Sequence, residues 1–457
     1  MIELAALVLV LILLMYWPCE NGEPVMDDMT AIFGNLSLIQ GKWKEQLKSW
    51  QSPRVLTRMS WALCAIGPGK QVGPFIEFLH TGNVLLHGIA ALLTIPIAEA
   101  AGANPYLVTL LFAVHPFASG AVANMSHRAS ILAFCFVLGT IDAALLGFWP
   151  LVPILLLGAF FSKEDAIGPL ALLLTGTQRV REVMASVDDG QKAAGLGGSM
   201  PWHRYLPSVA VENLMRMPQW FLGLGQSVSH TLHPRHLKDL WILTPLLPAV
   251  YFMAASPVPA HPAALALFAL SPFVLYLGVR IKDTVMEGRW YSWTLPFALL
   301  WASLPLPIPV FTALIVLFAA MTARRAWFHQ NQILFWKSAL TAQPSDRVLL
   351  NLGASLASHG DPVGAIEQYE TILKRNPVHP LALLNLGLLL EDEADRYYAR
   401  GCGTLEQTGK RSDDFKQFKH YRKLAKDKIS RAFELAPKDS IVSGHWERFQ
   451  KDKRVKV

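Results

Sequence analysis

FIEFLHTGNVLLHGIAALLTIPIA, Phe75–Ala98, decides the architecture. The stretch holds one carboxylate, Glu77, and no Lys or Arg. It exceeds the roughly 20 residues that an apolar helix needs to cross a bilayer. His80, Asn83 and His87 are spaced to share one side of that helix. They read either as a polar seam bonding a neighbouring helix or as two His ligands lacking a third.

Similar runs lie on both sides of it. They are Leu4–Trp17, Pro105–Val122, Ala129–Phe148, Val152–Phe161, Ala166–Thr177, Leu240–Ala255, Ala260–Val279, Tyr291–Leu304 and Ile308–Thr322. With residues 207–232 crossing once, the reading is an all-α polytopic membrane protein of about 11 spans. The chain is 52% hydrophobic and 16% charged, with mean hydropathy +0.32, and most of the charge follows Ala323. A soluble chain carries about 25% charged residues. The net charge of +7 belongs to Lys and Arg flanking spans and contacting anionic lipid, and does not indicate nucleic acid. Cys19, Cys64, Cys135 and Cys402 show no metal or redox spacing. The first run lacks a basic leader and a small-x-small site, so it reads as an uncleaved span.

The charged residues within the apolar region sit in four breaks: Asp27-Asp28, His127-Arg128, Lys163-Glu164 and Glu287-x-Arg289. With the N-terminus cytoplasmic, counting crossings brings all four to the external face. Such clustering is expensive near lipid and marks a candidate site. Residues 18–74 form the first external loop, with an amphipathic interfacial helix expected over Leu36–Trp50. Residues 178–204 form an inner loop. Its Gly195–Gly198 stretch lacks the Lys-Ser/Thr of a phosphate loop and reads as linker. Glu212, Arg216 and Pro218 interrupt residues 207–232, which read as an interfacial helix followed by a short span.

The membrane domain is assigned to 1–325 and a helical-repeat domain to 326–457. Asn351-Leu-Gly recurs as Asn385-Leu-Gly, 34 positions on, with Ala365, Tyr369, Leu373 and Pro377 at helical spacing after the first copy. That is the tetratricopeptide period. Phe335–Pro344 supplies a preceding half-repeat. The second terminating Pro is Pro437, not position 411, which implies 26 inserted residues, at about Arg396–Lys419. Asn351 and Asn385 are expected on a concave, peptide-binding side, and the basic tail Lys451–Val457 is expected to be solvated.

Asp27 and Asp28 offer a general base, a sugar contact or a divalent-metal site, against the alternative of a solvated turn or helix cap before Thr30. His115-Pro116 marks a kink, where His can satisfy freed carbonyls. Arg128 and Lys163 either snorkel to headgroups or cradle a lipid-linked phosphate, with Glu164 and Glu287 as partners. Glu287 and Arg289 also read as a simple local pair.

Taken in order, these segments resemble the transmembrane and tetratricopeptide-repeat family of protein O-mannosyltransferases and its bacterial relatives, in the multi-pass C-type glycosyltransferase superfamily. The matching pieces are Asp27-Asp28, Arg58 with Leu79–His87, Leu111–Pro116 through Arg128, Phe161-Ser-Lys163-Glu164, Glu287-x-Arg289-x-Tyr291 and the repeats. Arg58 is followed by Met59 where the family usually has Pro, and Met125-Ser-His precedes Arg128 in place of small residues. The repeat array is also shorter than in animal members.

The resemblance implies inverting transfer of a sugar from a polyprenyl-phosphate carrier to Ser or Thr of an exported protein. Asp27 and Asp28 would be catalytic. Arg58, His80, His87, His115, Arg128, Lys163, Glu164, Glu287 and Arg289 would bind substrate. The repeats would hold the protein acceptor, for example a pilin. The implied location is a bacterial inner membrane, with site and repeats on the periplasmic face. Two alternatives stand beside it. One is a glycolipid or cell-wall transferase of the same superfamily. The other is a non-catalytic membrane scaffold recruiting partners through its repeats.

Overall fold

The computed structural model describes residues 2–48, 54–66, 72–163, 202–224, 236–269, 291–342, 344–410 and 412–452. The described residues are helical, with no strand among them. Contacts divide the chain into two compact units at Phe335/Trp336, ten residues beyond the 325/326 division read from the sequence.

The first unit holds α1 (Ile2–Tyr16), α2 (Leu36–Ile39), α3 (Trp43–Lys48), α4 (Val55–Cys64), α5 (Val72–Leu92), α6 (Thr94–Ala100), α7 (Pro105–Val114) and α8 (Ser119–Val122). It continues with α9 (Arg128–Leu145), α10 (Leu151–Ser162), α11 (Trp202–Phe221), α12 (Leu247–Ala255), α13 (Ala260–Ala269), α14 (Thr294–Ala302) and α15 (Ile308–Phe328). By length and composition, four helical stretches among the described residues can cross a membrane: Ile2–Cys19, Gly73–Ala100, Met125–Leu145 and Ile308–Phe328. Pro105–Val114 and Pro116–Val122 make a fifth if their 46° bend lies within one span.

Proline accounts for the interruptions. Pro96 cannot donate to the Leu92 carbonyl, and the helix breaks at Leu93 between α5 and α6. His115 precedes Pro116 and has extended backbone, as steric contact with the proline ring demands.

Several expectations differ from the structure. Leu36–Trp50 is not one helix. Gly41 takes φ +68° after α2, with Lys42 N–H donating to the Ser37 carbonyl and Gly41 N–H to that of Leu38. That pattern is a Schellman stop. Pro218 does not divide α11, which runs through it to Phe221. There Glu212 and Arg216 pair at 3.5 Å, one turn apart. The run beginning at Leu240 opens as a 3₁₀ stretch, Leu237–Leu246, before α12. Ala166–Thr177 lies outside the described residues.

At one end of the unit the first loop clasps the segment after α15. Glu23 N–H donates to the Gln330 carbonyl (3.2 Å). Gln332 N–H donates to Glu23 Oε2 (2.9 Å), and Gln332 Nε2 donates to the Pro24 carbonyl (2.8 Å). The C-terminal ends of α1 and α15 therefore share a face.

After α16 (Gln332–Ala342), which carries the chain across the division, the second unit is built of hairpins. These are α17 (Asp346–Ser358) with α18 (Pro362–Arg375), then α19 (Pro380–Thr408) with α20 (Asp414–Leu435), closed by α21 (Ser440–Lys451). The recurring Asn-Leu-Gly has a packing cause. A Cβ at Gly353 would lie 2.6 Å from the Tyr369 ring, and one at Gly387 would lie 2.7 Å from Ile429. Each glycine lets the next helix seat. The partner lies 16 residues on in the first copy and 42 in the second, a difference equal to the 26-residue insertion.

The insertion is helical and lengthens α19 and α20 into an arm. Tyr397 stacks on Tyr421 (5.3 Å) with the Arg400 guanidinium 4.2 Å from Tyr397, and Tyr398 packs on Phe415 and Phe418. Below it, Glu391 accepts from Arg422 (3.0 Å) and Arg448 (3.1 Å), and Arg422 reaches Asp452 (2.8 Å). Both repeat asparagine amides make hydrogen bonds within the unit. Asn351 Nδ2 donates to the Arg347 carbonyl of its own helix, and Asn385 Nδ2 to the Tyr369 hydroxyl.

Candidate functional site: an acidic turn and a basic cluster

Asp27 and Asp28 sit on a tight turn. Met26 has a positive φ, strained for a side chain with a Cβ, and Asp28 N–H closes the turn onto the Val25 carbonyl (3.1 Å). The geometry separates the two acids. Asp28 is fully buried: Oδ2 accepts from Val25 N–H (3.0 Å) and Oδ1 from Ser126 N–H (2.7 Å). Burial pushes its carboxyl up to about 7, against the two backbone donors, and the Asp27 charge adds to the rise. It is not a solvated turn residue, and although it stands at the N-cap of Met29–Phe33 its side chain makes no capping hydrogen bond. Asp27 is exposed, and its backbone carbonyl anchors Thr30 Oγ1 and Ala31 N–H. No hydrogen bond engages its carboxylate among the described residues.

Asp28 ties the first loop to the turn before α9, and Arg128 repeats the tie. Arg128 is 2% exposed. Its Nε donates to Asn83 Oδ1 (2.7 Å), one terminal nitrogen to the Leu79 carbonyl, and the other to Ser60 O (3.3 Å) and Cys64 Sγ (3.1 Å). A Cβ at Gly82 would collide with this guanidinium, which explains the glycine in that turn of α5. Arg128 therefore does not snorkel. Asn83 completes the staple by donating to the Val122 and Asn124 carbonyls. Lys163 is also buried, and the Ser162 carbonyl beside it accepts from Thr57 Oγ1 of α4 (2.8 Å). Arg58, on the same helix, is held below its ordinary pKa by burial. Two of the other three charged breaks thus meet the first loop, which itself carries Asp27 and Asp28. Glu164, Glu287 and Arg289 lie outside the described residues.

The histidines divide similarly. His87 Nε2 faces the Ala113 carbonyl (3.0 Å), so it carries the proton, and Nδ1 accepts from the Tyr291 hydroxyl (2.6 Å). His115 Nδ1 accepts from Phe117 N–H (3.2 Å), and Nε2 donates to the Phe221 carbonyl (3.2 Å). Both tie helix to helix. His80 differs: it is 2% exposed, and the Gly22 backbone approaches it, yet neither ring nitrogen completes a hydrogen bond.

His80 belongs to a basic cluster that sequence reasoning missed. His329, just beyond α15, lies in the field of Arg325, His80 and His127. Burial is the main cause holding it uncharged, with its pKa at about 3; its hydrogen bond to the Arg325 carbonyl opposes that, and the neighbouring bases add to it. Arg325 Nε donates to Ser119 Oγ (2.6 Å), and His127 Nδ1 meets the Gly120 carbonyl (2.9 Å). In sequence, Arg324-Arg325 looks like an ordinary basic end to a span. The signal available was His329, one turn beyond Arg325.

Backbone donors occupy both Asp28 oxygens, leaving one carboxylate, Asp27. No group of three or more His, Cys, Asp or Glu placed to hold a metal occurs among the described residues. No protein-family model, no curated protein and no solved structure matches the chain.

Proposed function

We propose that this chain is a membrane-embedded transferase that moves a sugar from a polyprenyl-phosphate carrier to a Ser or Thr hydroxyl of an exported protein. In this reading residues 1–325 take a C-type glycosyltransferase arrangement of about 11 spans. The hairpin array acts as tetratricopeptide repeats that hold the acceptor. The site faces the periplasm of a bacterial inner membrane.

One observation carries the proposal. Asp27 presents an unengaged carboxylate on a turn that Asp28 pins to Ser126, next to His127-Arg128. The same loop clasps the segment where the last span hands over to the hairpins. Asp27 would take the acceptor proton as the hydroxyl oxygen bonds to the anomeric carbon. The bond from that carbon to the phosphate oxygen would break, its electron pair leaving on the phosphate, where basic groups offset the developing charge. Asp28 is a positioning residue, because backbone donors already fill both of its oxygens.

A second reading has its own observation. Arg128, His87, His115 and Asn83 are all engaged by internal bonds, which suits a scaffold that recruits partners and performs no chemistry. The variant Asp27→Asn separates the two. Intact mass of exported proteins should show a glycan with the wild-type chain. Transfer should fall on the order of 10²–10⁴-fold in the variant, with thermal stability unchanged. An exported proteome of identical masses with and without the chain, or full transfer by the variant, sinks the transferase reading.

A further inference from the structure

The basic cluster is electrostatically one-sided. The charges bearing on His329 come from Arg325, His80 and His127, all bases. Two carboxylates of the adjoining loop are engaged elsewhere, Asp28 with Val25 and Ser126 and Glu23 with Gln332, and Asp27 is exposed on its turn. Two groups at this end of the helices are buried without a completed hydrogen bond. One is His80, through both ring nitrogens; the other is the Tyr16 hydroxyl, in the field of Arg325. Buried polar groups are rarely left unsatisfied, and each such group calls for an explanation. Ser119 already donates to the Pro116 carbonyl and accepts from Arg325, which fixes the guanidinium.

We infer that Arg325, His80 and Tyr16 form a binding site for a phosphate-bearing ligand. The chemistry selects phosphate. A planar guanidinium matches tetrahedral oxyanions in two-point contacts, and imidazole and phenol groups donate single hydrogen bonds to the remaining oxygens. A ligand oxygen near His80 and Tyr16 would satisfy groups whose hydrogen bonds the folded chain leaves incomplete. His329 and His127 are wall, not donors, because each Nδ1 is engaged with a backbone carbonyl, of Arg325 and of Gly120. The cluster lies where α1 and α15 end, so the phosphate could arrive on a lipid or free in water. The transferase reading bears on that source alone, favouring the lipid.

The test uses the full chain in nanodiscs of zwitterionic lipid, reading the thermal midpoint by Trp fluorescence. Probes are a polyprenyl phosphate, the matched polyprenol and inorganic pyrophosphate. A ligand that binds the native state raises the midpoint with concentration. Polyprenyl phosphate should raise it and polyprenol should not. Arg325→Gln, which keeps a donor for Ser119, should weaken the response on the order of ten- to a hundredfold, and Arg325→Lys less. An equal response to pyrophosphate supports the site with a free phosphate as ligand. No response of the wild-type chain to either phosphate overturns the inference, whatever the variants do. So does an undiminished response in Arg325→Gln. Phosphate binding without any sugar transfer would leave this site standing and remove the transferase. Transfer by Arg325→Gln at an unchanged donor KM would do the reverse.

Discussion

Replacing Asp28 with Asn tests the division of labour in the acidic turn most directly. Asp28 offers one oxygen to Val25 N–H and one to Ser126 N–H, both buried. Asn keeps one acceptor and turns an amide NH₂ toward the other donor. One backbone N–H is then buried without a partner, at about 1–3 kcal/mol. For a unit of this size each kcal/mol moves the midpoint by about 2–4 °C, so a fall of roughly 4–8 °C is expected for a loss of about 2 kcal/mol.

The loss should depend on pH. The carboxyl titrates at about 7 in the folded chain against an ordinary 3.8. Between those values the native state binds a proton that the unfolded chain has released, so native stability declines as pH rises toward 7. At about 1.4 kcal/mol per unit, the two units from pH 5 to 7 remove on the order of 3 kcal/mol. Asn does not titrate. The wild-type chain should therefore exceed Asp28→Asn most at pH 5, and the gap should close by about that amount by pH 8. Scanning fluorimetry at a fixed heating rate across pH 5–8 measures it. A gap that widens with pH, or a variant whose midpoint matches wild type at pH 5, refutes the argument.

Two further outcomes concern the helical hairpins. Gly353→Ala should destabilise the full chain by about 1 kcal/mol despite alanine's better helix propensity, because its Cβ meets the Tyr369 ring. A net gain in a urea titration would show that the ring gives way freely. Glu391→Gln should lower stability, but by less than the roughly 3–5 kcal/mol expected on breaking an isolated buried pair, because Asp452 still meets Arg422. Trp446 fluorescence during denaturation reports it, and a transition that coincides with that of the wild-type chain would mean the network contributes little.

Sequence periodicity exposed the apolar helices and the 26-residue insertion, because both are local. The fate of individual polar groups was not local. Asp28 and Ser126 are 98 positions apart, and nothing near Asp28 announces that a distant backbone donor will draw it inward while Asp27 stays in water. Arg128 looks like a headgroup contact because it opens an apolar helix. Its partners Ser60 and Cys64 lie in α4, a helix of the first loop that folds over it. The expected interfacial helix failed at one glycine, whose left-handed φ the hydrophobic pattern does not encode. Arg325 was passed over because it, His80 and His127 come from three different helical segments.

The clasp between Glu23 and Gln332 also settles a matter of parity. With α1 and α15 as spans, their matched ends mean that both run the same way through the bilayer. The chain between them must traverse the membrane an odd number of times, and so must the chain from Ile2 to Phe328. Even totals are forbidden, whatever path the intervening segments take. Ile2 and Gln332 then open onto opposite compartments, and gaining or losing one crossing between α1 and α15 would pull apart the three hydrogen bonds that join residues 23–24 to 330–332.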